Sequence, residues 1–293
     1  MLSKLLNIRA HKTSGIVGLN ERNLKLIYPN NPREYYVLAD DKVLTKEVLQ
    51  MSNIPCAQTY EVIRSNSEIR RKWKNCSMYD KIAIKPAKGS GGGGIMILKK
   101  NENDKWISGG RVVEEREIFQ HMAAIIMGFF SLGSDDKVLI EECIEPHPFF
   151  HEIYPEGVPD FRVILLNHVP IMSMLRMPTD RSDGKANLHQ EGIGIGVDME
   201  KGTLSEVYDG HRYYNCHPDS KAIVSGVAIP YWDKILEISI ATAKAFPHKY
   251  LGVDIVIDKD KGPQIMEINV RPGLAIQLVN KKGLKKAGTS YNN

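Results

Sequence analysis

The stretch from Lys81 to Leu98 constrains the fold most. Ile82 and Ile84 alternate with other residues on one side of a glycine tract, Gly89 to Gly94 with Ser90 inside it, and Ile95 and Ile97 alternate on the other. Period-two alternation on both sides of a glycine run predicts two strands joined as a hairpin. The glycines can present bare backbone amides to an anion, and Lys85, late in the first strand, adds a point charge. The tract is not a Walker A loop, because no Gly-Lys-Ser/Thr follows it and a strand rather than a helix comes next. An isolated glycine run also fits a ligand-free mobile turn, so its meaning depends on residues elsewhere.

A protein kinase uses a comparable covering loop, but it also needs His-Arg-Asp and Asp-Phe-Gly tripeptides, and the chain has neither. Its 293 residues suffice for a sizeable core and two lobes. With 39 basic against 35 acidic side chains, the charge makes no case for nucleic acid or an anionic membrane as partner. Cys56, Cys76, Cys143 and Cys216 lack Cys-x-x-Cys spacing, which argues against a zinc site or a disulfide framework and fits a cytoplasmic protein. Ile118 to Gly133 is the most apolar stretch, too short to span a bilayer, and reads as a buried helix, with peripheral membrane contact as the alternative. No transmembrane segment or signal peptide is expected.

Along the chain, residues 1–40 read as an arm or a pair of short helices, with a Pro29 to Pro32 turn. Val43, Leu44, Val48, Leu49 and Met51 have helical spacing, ending at Asn53 to Pro55. A strand is expected at Val138 to Glu142, then a loop from Glu145 to Pro159. Strands at Phe161 to Leu166 and Pro170 to Leu175 bracket an Asn167-His168 turn. A polar stretch, 178–196, precedes a helix over Pro230 to Phe246. A last hairpin joins Gly252 to Ile257 with Gln264 to Ile268. The basic cluster Lys281, Lys282, Lys285 and Lys286 reads as a solvated tail.

Asp254, Glu267 and Asn269 sit on that last hairpin, and Glu267 and Asn269, two apart, share one strand face. Oxygen ligands of this kind suit Mg²⁺. The acids lie within apolar strands, and a carboxylate turned inward needs a partner, for which a cation is the simplest choice.

The order Asp41-Lys42, Lys85 with its glycine hairpin, Val138 to Glu142, Asp160-Phe161-Arg162, Gly252 to Asp254, and Met266 to Gly273 resembles the ATP-grasp enzymes from Asp41 to Gly273. Gly184 to His189 and the Glu267 to Leu274 segment resemble the RimK-like branch. Met174 to Thr179, Gly184 to Gly196 and Ala228 to Asp233 look like the alpha-L-glutamate-ligase-related proteins within it. The resemblance implies an α+β ATP-grasp fold of two lobes that clasp ATP, divided as an arm (1–40), a small lobe with the glycine hairpin (41–140) and a large lobe with the metal hairpin and tail (141–293). It implies ATP and Mg²⁺, two ions with Mn²⁺ as a substitute.

Residue by residue, the resemblance gives Lys42 and Lys85 the nucleotide phosphates and Ser90, Gly91, Gly92, Gly93 and Gly94 the loop that closes on them. Glu141, Glu142, Cys143 and Ile144 match the strand that meets adenine, and Asp160 the acid on the ribose hydroxyls. Asp254, Glu267 and Asn269 match the metal ligands. Arg176 would face the phosphates, while Arg162, Asn187, His189 and Arg271 would touch phosphate or acyl substrate; hydrogen bonding within loops is the alternative for these four.

The implied chemistry is phosphoryl transfer from ATP to a carboxylate, then attack of an amine on the acyl phosphate to form an amide. One expected form adds glutamate or another amino acid to a peptide or protein. A small-molecule kinase and an ATP-binding regulatory module without turnover are the alternatives. ATP-grasp ligases commonly carry a substantial acceptor-binding domain ahead of the first lysine, whereas forty-one residues precede Lys42 here. The 147–159 loop, with Phe149, Phe150 and Tyr154, is expected to help shape an acceptor wall.

Overall fold

The computed structural model describes residues 15–89 and 91–289. Their contacts divide the chain into two units: one of residues 40–47 and 56–144, the other of residues up to 39, 48–55 and from 145 onward.

The smaller unit holds a six-stranded antiparallel sheet built from β1 (Thr59–Ile63), β2 (Lys81–Pro86), β3 (Met96–Lys100), β4 (Trp106–Ser108), β5 (Arg111–Val112) and β6 (Val138–Glu142), in the spatial order β1-β6-β2-β3-β4-β5. Its helices are α1, Lys42–Met51, which passes into the other unit after Glu47, α2 (Ile69–Cys76) and α3 (Glu115–Ile126). The expected hairpin is β2–β3, with Ile82 opposite Leu98 and Ile84 opposite Met96. Strand alternation then sorts the two faces of β2 and β6. Ile82, Ile84, Val138 and Ile140 join Trp73, Trp106, Ile118, Met122 and Ile125 in the main core. Leu139 and Ala87 pack with Val43 of α1 on the other side. A capping box between Glu114 and Glu117 starts α3. That helix stops at Ile126, short of the expected Gly133, because the chain turns at Met127 and at Gly128, whose φ of +80° is left-handed.

The larger unit carries a seven-stranded antiparallel sheet, ordered β11-β10-β9-β8-β7-β12-β13. Its strands are β7 (Asp160–Leu166), β8 (Val169–Met177), β9 (Ile193–Asp198), β10 (Thr203–Tyr208), β11 (Tyr213–Tyr214), β12 (Tyr250–Asp258) and β13 (Gly262–Asn269). Asn167 and His168, at φ of 50° and 67°, make the left-handed two-residue turn between β7 and β8. Two expectations fail here. The 145–159 segment contains a helix, α4 (Pro148–Ile153), begun by Pro148 and capped by His147, whose side chain accepts from the Phe149 amide. Strand β9 lies at the end of the stretch read as polar, and its glycines are there for packing. A Cβ on Gly194 would sit 2.5 Å from Val279 of α6, Ala275–Val279, after α5 (Trp232–Ala245).

The N-terminal segment and the basic C-terminus are both tied down within this unit. Gln277 receives the Val17 and Leu284 amides and donates to the Val17 carbonyl, and Asn31 bridges Tyr250 and Val270. Lys281 and Lys285 pair with Glu206 and Glu21, and α7 (Leu284–Thr289) buries Leu284 and Ala287. Of the C-terminal lysines, Lys281 and Lys285 are therefore ion-paired, and the four are exposed side chains on a docked segment rather than on a free tail.

Candidate active site

In the smaller unit the sheet register places Lys85 opposite Leu139, and Ala83 opposite Glu141, so Lys85 and Glu141 are diagonal neighbours on the face that carries α1. Lys85 pairs with Glu141 Oε1. Lys46, one turn after Lys42 on α1, lies 2.7 Å from Glu141 Oε2 and donates to the Ala57 carbonyl at 2.5 Å. Burial of Glu141 works against its ionisation, but the two lysines prevail and hold its carboxyl below the usual range. Glu141 thus faces lysines within the unit, while Glu142 accepts from the Gln58 amide.

The α1 N-terminus is capped by Asp41, whose Oδ1 accepts from the Val43 amide and whose Oδ2 pairs with Lys137 at 2.6 Å. Lys42 Nζ donates to the Gly89 carbonyl at 2.5 Å, at the entrance to the glycine tract. Gly91, Gly92 and Gly94 have φ of 62°, 75° and 76°. Gly94 is further fixed by packing, since a Cβ there would come within 2.5 Å of Phe130 Cγ, and its carbonyl meets His121 Nε2 at 2.9 Å. Gly91 and Gly93 are exposed; Ser90 lies outside the described residues. Cys143 and Ile144 follow β6, with the Cys143 thiol on the Ile144 carbonyl at 3.8 Å.

In the larger unit four strands present their polar residues on one face. The register sets Asp160 opposite Arg176, Arg162 opposite Asp254, Asp254 opposite Glu267, and Gly252 opposite Asn269. A bulge falls between Asp254 and Ile255. Arg162 grips Asp254 in bidentate fashion, Nε to Oδ1 at 2.7 Å and Nη2 to Oδ2 at 2.5 Å. Arg176 reaches both acids, Asp160 Oδ1 at 2.6 Å and Asp254 Oδ2 at 2.8 Å, and Asn269 donates to Asp254 Oδ2 at 3.2 Å. Burial opposes the charge on Asp254, yet Arg162 and Arg176 hold its pKa at about 2. Asp160 is pushed upward, chiefly by burial, with Arg176 opposing and Asp254 adding.

The partner that the inward carboxylate of Asp254 requires is thus supplied by guanidinium groups. Among the described residues no three His, Cys, Asp or Glu side chains form a metal-type cluster. The donor set still fits a hard cation: Asp254, Glu267 and Asn269 are oxygen-bearing and share one face. An ion on Asp254 would compete with Arg162 or Arg176 for a carboxylate oxygen.

The remaining expected residues are scattered. Asn187 caps a 3₁₀ turn, Leu188–Gln190, by accepting from the His189 amide, and His189 is exposed. Arg271 is exposed and lies 5.0 Å from the Tyr36 ring centroid. Phe150 is fully buried against Phe161, and Tyr154 stacks on His217 at 4.5 Å, so the supposed acceptor wall is mostly core. Lys46 escaped the sequence reading. Its signal was the i, i+4 spacing from Lys42 on a helix whose next turn is the buried Leu49.

A chain with two antiparallel sheets, one bearing a glycine hairpin beside buried lysines and the other an acid-and-arginine face, has the make-up of an ATP-grasp protein. It belongs to the sugar-transfer associated ATP-grasp family, whose model matches residues 21–292. No curated protein matches the chain. Among solved structures it is similar to phosphoribosylamine–glycine ligase from Thermotoga maritima, at 18% identity and a TM-score of 0.52, over 91% of this chain and 57% of that one. D-alanine–D-alanine ligase from Bacillus anthracis, complexed with ATP, matches at 16% identity and a TM-score of 0.48, over 86% of this chain and 60% of that one. The chain thus spans less than two thirds of either protein. No helix among the described residues is long and apolar enough to cross a membrane.

Proposed function

We propose that the protein is an ATP- and Mg²⁺-dependent carboxylate–amine ligase. The observation that carries this reading is the polar face of β7, β8, β12 and β13, where Asp254, Glu267 and Asn269 stand beside Arg162 and Arg176 in a chain of an ATP-grasp family. Lys42, Lys85 and the glycine tract take the phosphates, and Asp160 the ribose. Asp254, Glu267 and Asn269 would hold Mg²⁺, which would neutralise charge on the phosphoryl oxygens. A carboxylate oxygen of the substrate attacks the γ-phosphorus and ADP leaves. The amine nitrogen then attacks the acyl carbon, phosphate leaves, and the nitrogen gives up a proton. Arg176, which reaches Asp160 and Asp254, would stabilise the charge on the transferring phosphoryl group.

The Asn187 to His189 segment and its RimK-like neighbours support an amino acid such as glutamate as one substrate. The description of the family as sugar-transfer associated adds amino sugars to the amines worth testing. The test is incubation with Mg²⁺, ATP and panels of carboxylates, amino acids, acidic peptides and amino sugars, reading ADP and product mass. Condensation with one ADP per product supports ligation; a gain of phosphate without condensation means a kinase, and binding without turnover means a regulatory module.

A further inference from the structure

The sheet face of the smaller unit that carries α1 holds more positive charge than it can neutralise. Glu141, 2% exposed, is shared between Lys85 and Lys46, and Lys46 is itself 7% exposed. Two cations on one carboxylate leave a surplus of one charge in a poorly hydrated setting, where an anion is strongly attracted. The donors are not equally committed. Lys46 serves both the Ala57 carbonyl and Glu141, whereas the described polar contact of Lys85 is Glu141 alone. The surplus is therefore expressed at Lys85.

We propose that Lys46 is a positioning residue for Lys85: by drawing on the second oxygen of Glu141 it prevents that carboxylate from neutralising Lys85, leaving Lys85 charged toward an incoming anion. That the anion is a nucleotide phosphate rests on the reading of the protein as an ATP-dependent enzyme. The sharing of Glu141 is a property of this cluster whatever the ligand. Without Lys46, Glu141 closes onto Lys85 as a one-to-one pair, and Lys85 is withdrawn.

Compensation separates this role from simple support of the fold. Lys46→Gln removes the charge but keeps a donor for Ala57. It is expected to weaken ATP binding on the order of tenfold, by calorimetry, and to slow acetylation of Lys85 by an N-hydroxysuccinimide ester, read by peptide mass spectrometry. Adding Glu141→Gln should restore both, because nothing then neutralises Lys85, and Lys46→Arg should behave as the parent. Where Lys46→Gln does not fold, Lys46→Met replaces it, with thermal melting as the check. Unchanged acetylation in the single variant, or a double variant worse than either single, overturns the proposal. If the parent chain binds no ATP, the nucleotide reading fails and the acetylation measurements alone decide the role of Lys46.

Discussion

The two charged clusters differ in balance. In the smaller unit two lysines share the single carboxylate of Glu141, a net excess of positive charge. In the larger unit Arg162 and Arg176 are matched by Asp160 and Asp254, and Glu267 stands opposite Asp254. The first cluster is short of an anion, whereas the second holds its guanidinium groups and acids in balance. The side chains differ to suit. Lysine carries a compact charge that can move to a phosphate, while the planar guanidinium fork holds a buried carboxylate in fixed geometry.

The two clusters are expected to matter most for activity. Lys85→Ala in the one cluster and Glu267→Ala in the other should each lower turnover by about a thousandfold or more while the melting temperature stays near that of the parent. Turnover surviving both changes would remove the assignment of these clusters to catalysis. Next in size is Arg176→Met, which leaves Asp160 and Asp254 short of their shared partner. Chemical denaturation should find it about 3–5 kcal/mol less stable, whereas Lys46→Gln, which still leaves Glu141 a lysine, should cost less.

A third prediction lies outside both clusters. His248 is fully buried without a hydrogen-bond partner for either ring nitrogen among the described residues, and burial lowers its pKa from 6.5 to about 4. The unfolded chain therefore binds the proton more readily. The stabilisation is fully present above pH 6.5 and declines as pH falls toward 4, by roughly 3 kcal/mol in all. Replacing His248 with Phe should flatten that part of the stability–pH profile, read by denaturant titration at each pH. The smallest effect concerns the glycine hairpin. Gly94→Ala should destabilise by about 1–3 kcal/mol through strain and the clash with Phe130. Gly92→Ala, with φ of +75° and no atom within 4 Å of the new methyl, should cost only about 1 kcal/mol. Equal losses at the two positions would remove Phe130 as an anchor of the hairpin.

Much of the architecture was legible because the chain advertises its hairpins locally: alternating isoleucines around Gly89 to Gly94, the Asn167-His168 turn, and the paired apolar runs around Asp258. Strand β9 was passed over because Gly194 and Gly196, needed for the approach of α6, read as loop residues within a polar stretch, although Ile193, Ile195 and Val197 keep a period of two. The β4–β5 hairpin was readable from Gly109-Gly110, both at positive φ, but its strands are only three and two residues long. In the candidate site, residue types and order were visible, whereas partners were not. That Asp254 meets Arg162 and Arg176 follows from registers between strands tens of residues apart, and that Glu141 is shared with Lys46 follows from the packing of α1 on the sheet. An acid in an apolar strand announces that it needs a partner without saying which one.

Both clusters are proposed to serve formation of an acyl phosphate. Trapping with hydroxylamine tests it most directly: the protein is incubated with Mg²⁺, ATP, a carboxylate panel and hydroxylamine, and hydroxamate and ADP are quantified together. A hydroxamate is expected in equal amount to ADP for at least one carboxylate, and it is expected to be lost in Lys85→Ala. ADP released with a stable phosphorylated product and no hydroxamate, or no ADP with any carboxylate, would contradict it.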